Sequence, residues 1–269
     1  MSVRLCYENR SQLISRIGAR EVNHTLVFFG GYISRNPLGG EGLSYNTDYV
    51  IPVDTQSRVA YTGIGTILKQ AMRRHNGRAT VNAYDPCMTG DGPDQCRAQC
   101  ANVRSLAARW AFGRDVFDPL GALIVYGYSA GAFNAAWFCD DVSRTHAWYD
   151  FASRRTRPAR GQGSGSEVVI DLLITVDPSI DNLPGGREAS LTSPRMVRRH
   201  INYYNRERNT PPSRITEESR HQDHYVDNRP RTGLSHSDMP GATLEGIQFE
   251  IYRVLNELMG AGNSARISS

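Results

Sequence analysis

Gly121-Ala122-Leu123-Ile124-Val125-Tyr126 runs into Gly127-Tyr128-Ser129-Ala130-Gly131 and then into Ala132-Phe133-Asn134-Ala135-Ala136-Trp137. The first stretch has the length and apolar character of a buried strand, and the last reads as a helix. The five residues between them are a tight turn with a serine at its apex. Such a turn forces strained backbone angles on the serine, and its small neighbours let strand and helix approach closely. Ser129 is thereby expected to stand at the carboxyl end of a strand with its hydroxyl offered to a ligand, which makes it the candidate nucleophile. The plainer alternative is a structural turn.

Outward from this stretch, strands and helices alternate between residues 22 and 180. Asn23 to Phe29 reads as a buried strand ending at Gly30-Gly31, Ala79 to Tyr84 as a second, and Val168 to Val176 as a strongly apolar one ending in Asp177-Pro178. Thr62 to His75 and Pro93 to Phe112 read as helices, and the helix after Ser129 is expected to run to about Tyr149. Beyond residue 180, Val197 to Tyr204 reads as a further strand, His221 to Asp227 as a short polar one, and Ala242 to Met259 as an amphipathic terminal helix. Parallel strands need such crossovers, and nearly continuous apolar strands belong to a sheet covered on both faces. The expected fold class is therefore α/β with a mostly parallel central sheet, in one domain spanning residues 1–269. Two segments fall outside this pattern. Residues 34–61, with Gly39, Gly40, Gly42, Pro37 and Pro52, have the length and composition of a lid loop. Residues 153–167 are basic and rich in Gly and Ser, and read as a mobile surface loop.

Composition narrows the class. The chain has 269 residues, 39% of them hydrophobic and 22% charged, as is ordinary for a soluble globular enzyme. A net charge of +4 gives no reason to expect nucleic acid as a partner. Of the 31 basic residues only Lys69 is a lysine, which fits a GC-rich bacterial genome. No stretch approaches a membrane span, and Met1 to Cys6 lacks the apolar core of a signal peptide. The expected location is the cytoplasm, or outside the cell by a route without a cleavable signal. Five cysteines are present. Cys96 and Cys100 share helical spacing with Val103, Ala107 and Trp110, and Cys87, Cys96 and Cys100 lack zinc-ligand spacing, so no metal is expected. A Cys87–Cys96 disulfide is the alternative in an oxidising compartment.

A serine hydroxyl needs a base to take its proton, and the base needs a carboxylate to hold its tautomer. His236, in Gly233-Leu234-Ser235-His236-Ser237-Asp238 ahead of the terminal helix, is the candidate base; His221 and His224 are the rivals. Asp177, at the end of an apolar strand, is the candidate acid, ahead of Glu207, Asp181, Asp223 and Asp227. The developing oxyanion needs backbone donors. The residue after the nucleophile, Ala130, supplies one N–H, and Gly31 or Tyr32 the second.

The order Ser129, Asp177, His236, the Phe29-Gly30-Gly31 turn, and the final helix after His236 resemble the α/β-hydrolase fold of lipases and esterases over residues 22–259. That resemblance implies a three-layer α/β/α sandwich and a serine hydrolase that cleaves carboxylic esters through an acyl-enzyme, with no cofactor. It departs from the family at Phe29-Gly30, where His-Gly is usual, and in the acid, which commonly follows a later strand. A looser likeness to secreted antibacterial lipase effectors implies a toxin reading with an immunity or carrier protein as partner. For a lipase or phospholipase, the Arg154–Arg160 run would meet an anionic membrane surface. A non-catalytic binding protein on the same fold is the alternative outside enzymes.

Overall fold

The computed structural model describes residues 11–12, 14–16, 18, 22–30, 44–45, 78–84, 121–144, 147–150, 155–158, 170–179, 191–194, 197–206 and 225–259. Among the described residues the long apolar runs form the central strands, and shorter or more polar segments form the others. In chain order these are β1 (Asn23–Phe29), β2 (Ser44–Tyr45), β3 (Arg78–Tyr84), β4 (Leu123–Tyr128), β5 (Ala147–Asp150), β6 (Arg155–Pro158), β7 (Leu172–Val176), β8 (Arg199–Asn205) and β9 (Tyr225–Arg231). Among the described residues the helices are α1 (Ala130–Arg144), the short α2 (Met239–Ala242) and α3 (Leu244–Met259), with a 3₁₀ turn at His236–Asp238 before α2 and further helical residues at 11–12 and 14–16.

Among the described residues the main sheet has the order β2-β3-β1-β4-β7-β8-β9. All neighbours from β3 to β9 pair in parallel, and β2 joins β3 antiparallel. The chain is thus an α/β protein. β3 follows β1 on one side, whereas β4 returns to pair with β1 on the other. The winding therefore reverses between β1 and β4, and in open parallel sheets ligands bind outside the carboxyl ends of the strands at such a reversal. Ser129 follows β4 at that point, and Gly30 follows β1 beside it.

Alternate strand residues divide between two faces. Phe28, Tyr126, Ile174, Val176 and Tyr203 join Ile247, Ile251, Val254, Leu255 and Leu258 of α3 in one cluster. From the other parity, Phe29 meets Phe138 of α1 at 5.7 Å between ring centres. Each large side chain buried in this way contributes about 1.5–3 kcal/mol over its exposed state, so central strands read plainly as apolar runs. Side chains close the amino end of the sheet. The main-chain N–H of Ala122 donates to His24 Nδ1 at 2.9 Å, and that of Leu123 to Asp171 Oδ2 at 2.9 Å.

The helix after Ser129 stops at Arg144, short of the expected Tyr149. Ala147–Asp150 is instead a strand, paired antiparallel with Arg155–Pro158, which falls within the basic 153–167 segment. Trp148 and Tyr149 are of residue types enriched in strands. The strand expected at residues 221–227 lies at Tyr225–Arg231. The expected helices at 62–75 and 93–112, the rest of the 34–61 segment around β2, and Cys87, Cys96 and Cys100 lie outside the described residues. Cys139 on α1 is a buried thiol outside any disulfide, pushed up by burial and by neighbouring Asp140. Among the described residues no helix is long and apolar enough to cross a membrane.

The two glycines of the turn have different neighbours. A Cβ on Gly127 would lie 2.4 Å from Gly131 O and 2.6 Å from Ala132 Cα, so this glycine lets β4 and α1 meet. A Cβ on Gly131 would lie 2.1 Å from Gly30 O and 2.6 Å from Phe29 O, so this one lets α1 meet the end of β1. Both obstacles are backbone and cannot swing aside. Gly131→Ala should therefore destabilise the protein by about 1–3 kcal/mol or more, read as a thermal midpoint several degrees lower. An unchanged midpoint would show that β1 and α1 are not in contact at this point.

Candidate active site

Strand β4 ends at Tyr128, and the next residue, Ser129, has φ 56°. That left-handed conformation is costly for a residue with a Cβ and persists only when the surroundings fix it. Here the Ser129 N–H donates to Val176 O at 3.0 Å, and Ser129 O accepts from the Ala132 N–H at 3.1 Å. Strand β7 ends at Val176, and Asp177 is likewise left-handed, with φ 41°. Its N–H donates to Tyr203 O at 2.6 Å. Two adjacent strands thus end in the same unusual way, and each presents one polar side chain at the carboxyl edge.

His236 reaches both. His236 Nε2 is 2.9 Å from Ser129 Oγ, and His236 Nδ1 is 2.6 Å from Asp177 Oδ2. The other oxygen of Asp177 accepts the Asn205 N–H at 3.0 Å. An ionised carboxylate only accepts, so Nδ1 carries the proton and donates to Asp177, and Nε2 is left to accept from the Ser129 hydroxyl. Ser129 and Asp177 are buried, whereas the His236 side chain keeps 28% exposure. The carboxylate is shielded from water, and the imidazole is partly open to solvent.

The structure therefore brings Ser129, Asp177 and His236 together in hydrogen-bonded order. Among their rivals, Asp227 accepts from Arg229 Nε at 2.7 Å on β9. Asp181, Glu207, Asp223, His221 and His224 lie outside the described residues. Ala130 is the first residue of α1, where the N–H has no acceptor within the helix. Gly31 and Tyr32 lie outside the described residues, but Gly30, directly before them, packs on Gly131 two positions after Ser129. No group of three or more His, Cys, Asp or Glu that could hold a metal occurs among the described residues.

Three features of the site had little signal in the sequence. Tyr128, inside the turn motif, lays its ring along the His236 imidazole, with centres 4.9 Å apart and planes inclined by 27°. Its hydroxyl donates to His236 O at 3.0 Å. Asn205, at the end of β8, donates from its side chain to Leu234 O at 2.7 Å. Behind the site, a buried polar chain crosses β7, β8 and β9. The Thr175 hydroxyl donates to Asn202 Oδ1 at 3.0 Å, and Asn202 Nδ2 donates to Asn228 Oδ1 at 2.9 Å. Having given its one proton to Asn202, Thr175 Oγ1 accepts from His200 Nε2 at 2.9 Å, which leaves His200 Nδ1 to accept from Ser193 Oγ at 2.9 Å. Thr175, Asn202 and Asn228 are cross-strand partners, and their bonds help fix the register of the strands that carry Asp177 and Asn205.

A second support lies under Tyr203, whose carbonyl takes the Asp177 N–H. Arg229 donates to Glu250 at 2.5 Å, to Asp227 at 2.7 Å and to Tyr203 Oη at 3.0 Å. Burial works against the Arg229 charge, but the bonds to Glu250 and Asp227 outweigh it and raise its affinity for the proton. Burial pushes the Tyr203 phenol up, although Arg229 pulls the other way. The Glu250 side chain is fully buried, and without Arg229 it keeps only the longer contact to Arg253 Nη1 at 3.7 Å. Arg229→Met should cost about 3–5 kcal/mol of unfolding free energy. Arg229→Met with Glu250→Leu should recover most of it, as measured by denaturant unfolding. No protein family matches this chain, and no curated protein matches it.

Proposed function

We propose that this chain is a serine hydrolase of the α/β-hydrolase fold, a three-layer α/β/α sandwich, cleaving carboxylic esters through an acyl-enzyme. The observation that carries the reading is the 2.9 Å contact between Ser129 Oγ and His236 Nε2, with Ser129 held left-handed at the end of β4. A serine and a histidine can meet in any core. A serine strained at a strand end, facing a histidine whose other nitrogen is held by a buried carboxylate, is the arrangement that makes a hydroxyl nucleophilic.

In this scheme Ser129 Oγ attacks the ester carbonyl carbon while its proton passes to His236 Nε2. Asp177 stabilises the imidazolium that forms. The carbonyl oxygen becomes an oxyanion received by backbone N–H groups, with Ala130 as one donor and Gly31 or Tyr32 as the second. Collapse breaks the bond to the alcohol, which leaves with the proton from His236. Water then attacks the acyl-Ser129 ester, loses its proton to His236, and the acid departs as Ser129 takes that proton back.

Within this class the substrate we favour is a lipid ester. The support is sequence length and charge: a glycine- and proline-bearing stretch at 34–61 and the Arg154–Arg160 run. A fluorophosphonate probe tests the chemistry. It should modify the native protein at a single peptide containing Ser129, and prior heat denaturation should abolish the labelling. An unlabelled native protein would sink the hydrolase reading. A glycerolipid panel that releases no fatty acid, beside turnover of a short-chain ester, would keep the hydrolase and remove the lipid.

A further inference from the structure

His236 sits in an exposed place for a group that must be aimed to within a fraction of an ångström. The chain leaves the edge strand β9 at Arg231, turns at Gly233 with φ 70°, and runs through Ser235, Ser237 and Asp238, all exposed. A base on such a segment works only if its neighbours hold it, because a displacement of about 1 Å at a reacting group costs on the order of 10²-fold in rate. Two buried side chains from different strands reach this segment. Tyr128, 4% exposed, comes from β4 and takes His236 O from one side while its ring lies on the imidazole. Asn205, 5% exposed, comes from β8 and takes Leu234 O, two residues earlier.

Asn205 also has a second duty. Its main-chain N–H holds Asp177 Oδ1, and its side chain holds the segment that carries the base. One residue thus sets acid and base relative to each other. Tyr128 does the same for nucleophile and base, since it precedes Ser129 directly. We propose that Tyr128 and Asn205 are positioning residues, a two-sided clamp that fixes His236 between Ser129 and Asp177. This rests on the catalytic reading of those three residues. The clamp touches no reacting atom. It acts through the placement of the imidazole, so its loss lowers kcat and leaves KM nearly unchanged.

The experiment compares the wild type with Tyr128→Phe, Asn205→Ala and the double variant. Tyr128→Phe keeps the stacked ring and loses only the hydroxyl, and Asn205→Ala keeps the main-chain donor to Asp177. Turnover of a p-nitrophenyl ester and the rate of fluorophosphonate labelling should fall roughly tenfold in each single variant and more than the product of the two in the double, with KM changed less than about threefold. The far-downfield proton resonance of His236 Nδ1–H, held by Asp177, should broaden through faster exchange in the same order. A general loss of folding would move the thermal midpoint without this ordered loss of the resonance. The clamp is overturned if the double variant keeps kcat within twofold and its resonance sharp. If the wild type neither turns over ester nor takes the probe, the catalytic reading has failed on its own. The resonance then decides the clamp: broadening in the double variant upholds it and a sharp signal overturns it.

Discussion

Ser129→Ala should lower ester turnover by roughly 10⁶-fold, and His236→Ala should do nearly the same, while the double variant should be no worse than either alone. The hydroxyl is useless without an acceptor for its proton, and the acceptor is useless without the hydroxyl. The 2.9 Å contact between Ser129 Oγ and His236 Nε2 makes them one unit. Folding should scarcely change. Alanine keeps the Cβ that makes φ 56° costly, so the substitution neither relieves nor adds backbone strain at the turn. The main-chain bonds of Ser129 to Val176 and Ala132 also survive. A loss of rate at an unchanged thermal midpoint would therefore report chemistry alone. Activity in Ser129→Ala within tenfold of the wild type would sink the nucleophile assignment, and a double variant that multiplies the two single losses would show that the residues act in separate steps.

The parts of the fold legible in the sequence were those where burial is complete. Strands β1, β4 and β7 are covered on both faces, so their apolar runs mark them, and the residues closing two of them, Ser129 and Asp177, stand out as polar interruptions. Strand β9 was placed too early because it is the edge of the sheet. Asp227, Asn228, Arg229 and Arg231 are only partly buried there, and an edge strand accepts Pro230, which a central strand would not. The β5–β6 hairpin was hidden by the helical character of the residues before it and the arginines within it. Glu250 was unreadable for another reason: on an amphipathic helix a glutamate belongs to the solvent face, and its complete burial follows from the three-dimensional position of Arg229, with Arg253 at 3.7 Å as a second cation. The selection of Ser129, Asp177 and His236 followed from strand ends and chain order, and the structure brings the three together. The sequence put Asp177 ahead of four other carboxylates only by its strand end; that it meets His236 depends on β7 pairing beside β4, which no local pattern shows. Asn205 gave no sign of its part, since an asparagine at a strand end is ordinary, and its two contacts lie 28 and 29 positions away.

Asp177→Asn should cost about 10⁴-fold in kcat, the cost expected when an amide replaces a triad carboxylate and selects the wrong imidazole tautomer, even though the side chains match in shape. The reason lies in a bond that does not involve the histidine. The Asn205 N–H donates to Asp177 Oδ1 at 3.0 Å, and an amide at this position must keep its oxygen there, because turning its NH₂ toward another N–H would leave two donors face to face. The NH₂ then points at His236 Nδ1, where the carboxylate oxygen now accepts at 2.6 Å. Nδ1 can answer only as an acceptor, so the proton moves to Nε2, the nitrogen facing Ser129. The imidazole becomes a donor where a base is required, and it loses the negative charge that stabilises its cation. Asp177→Ala removes the carboxylate without imposing that tautomer. Asn should accordingly be no more active than Ala, the opposite of what shape alone predicts. Steady-state turnover of both variants, with thermal midpoints to show that each is folded, decides it. An Asn variant within tenfold of the wild type would mean that Asp177 is not the residue that orients His236.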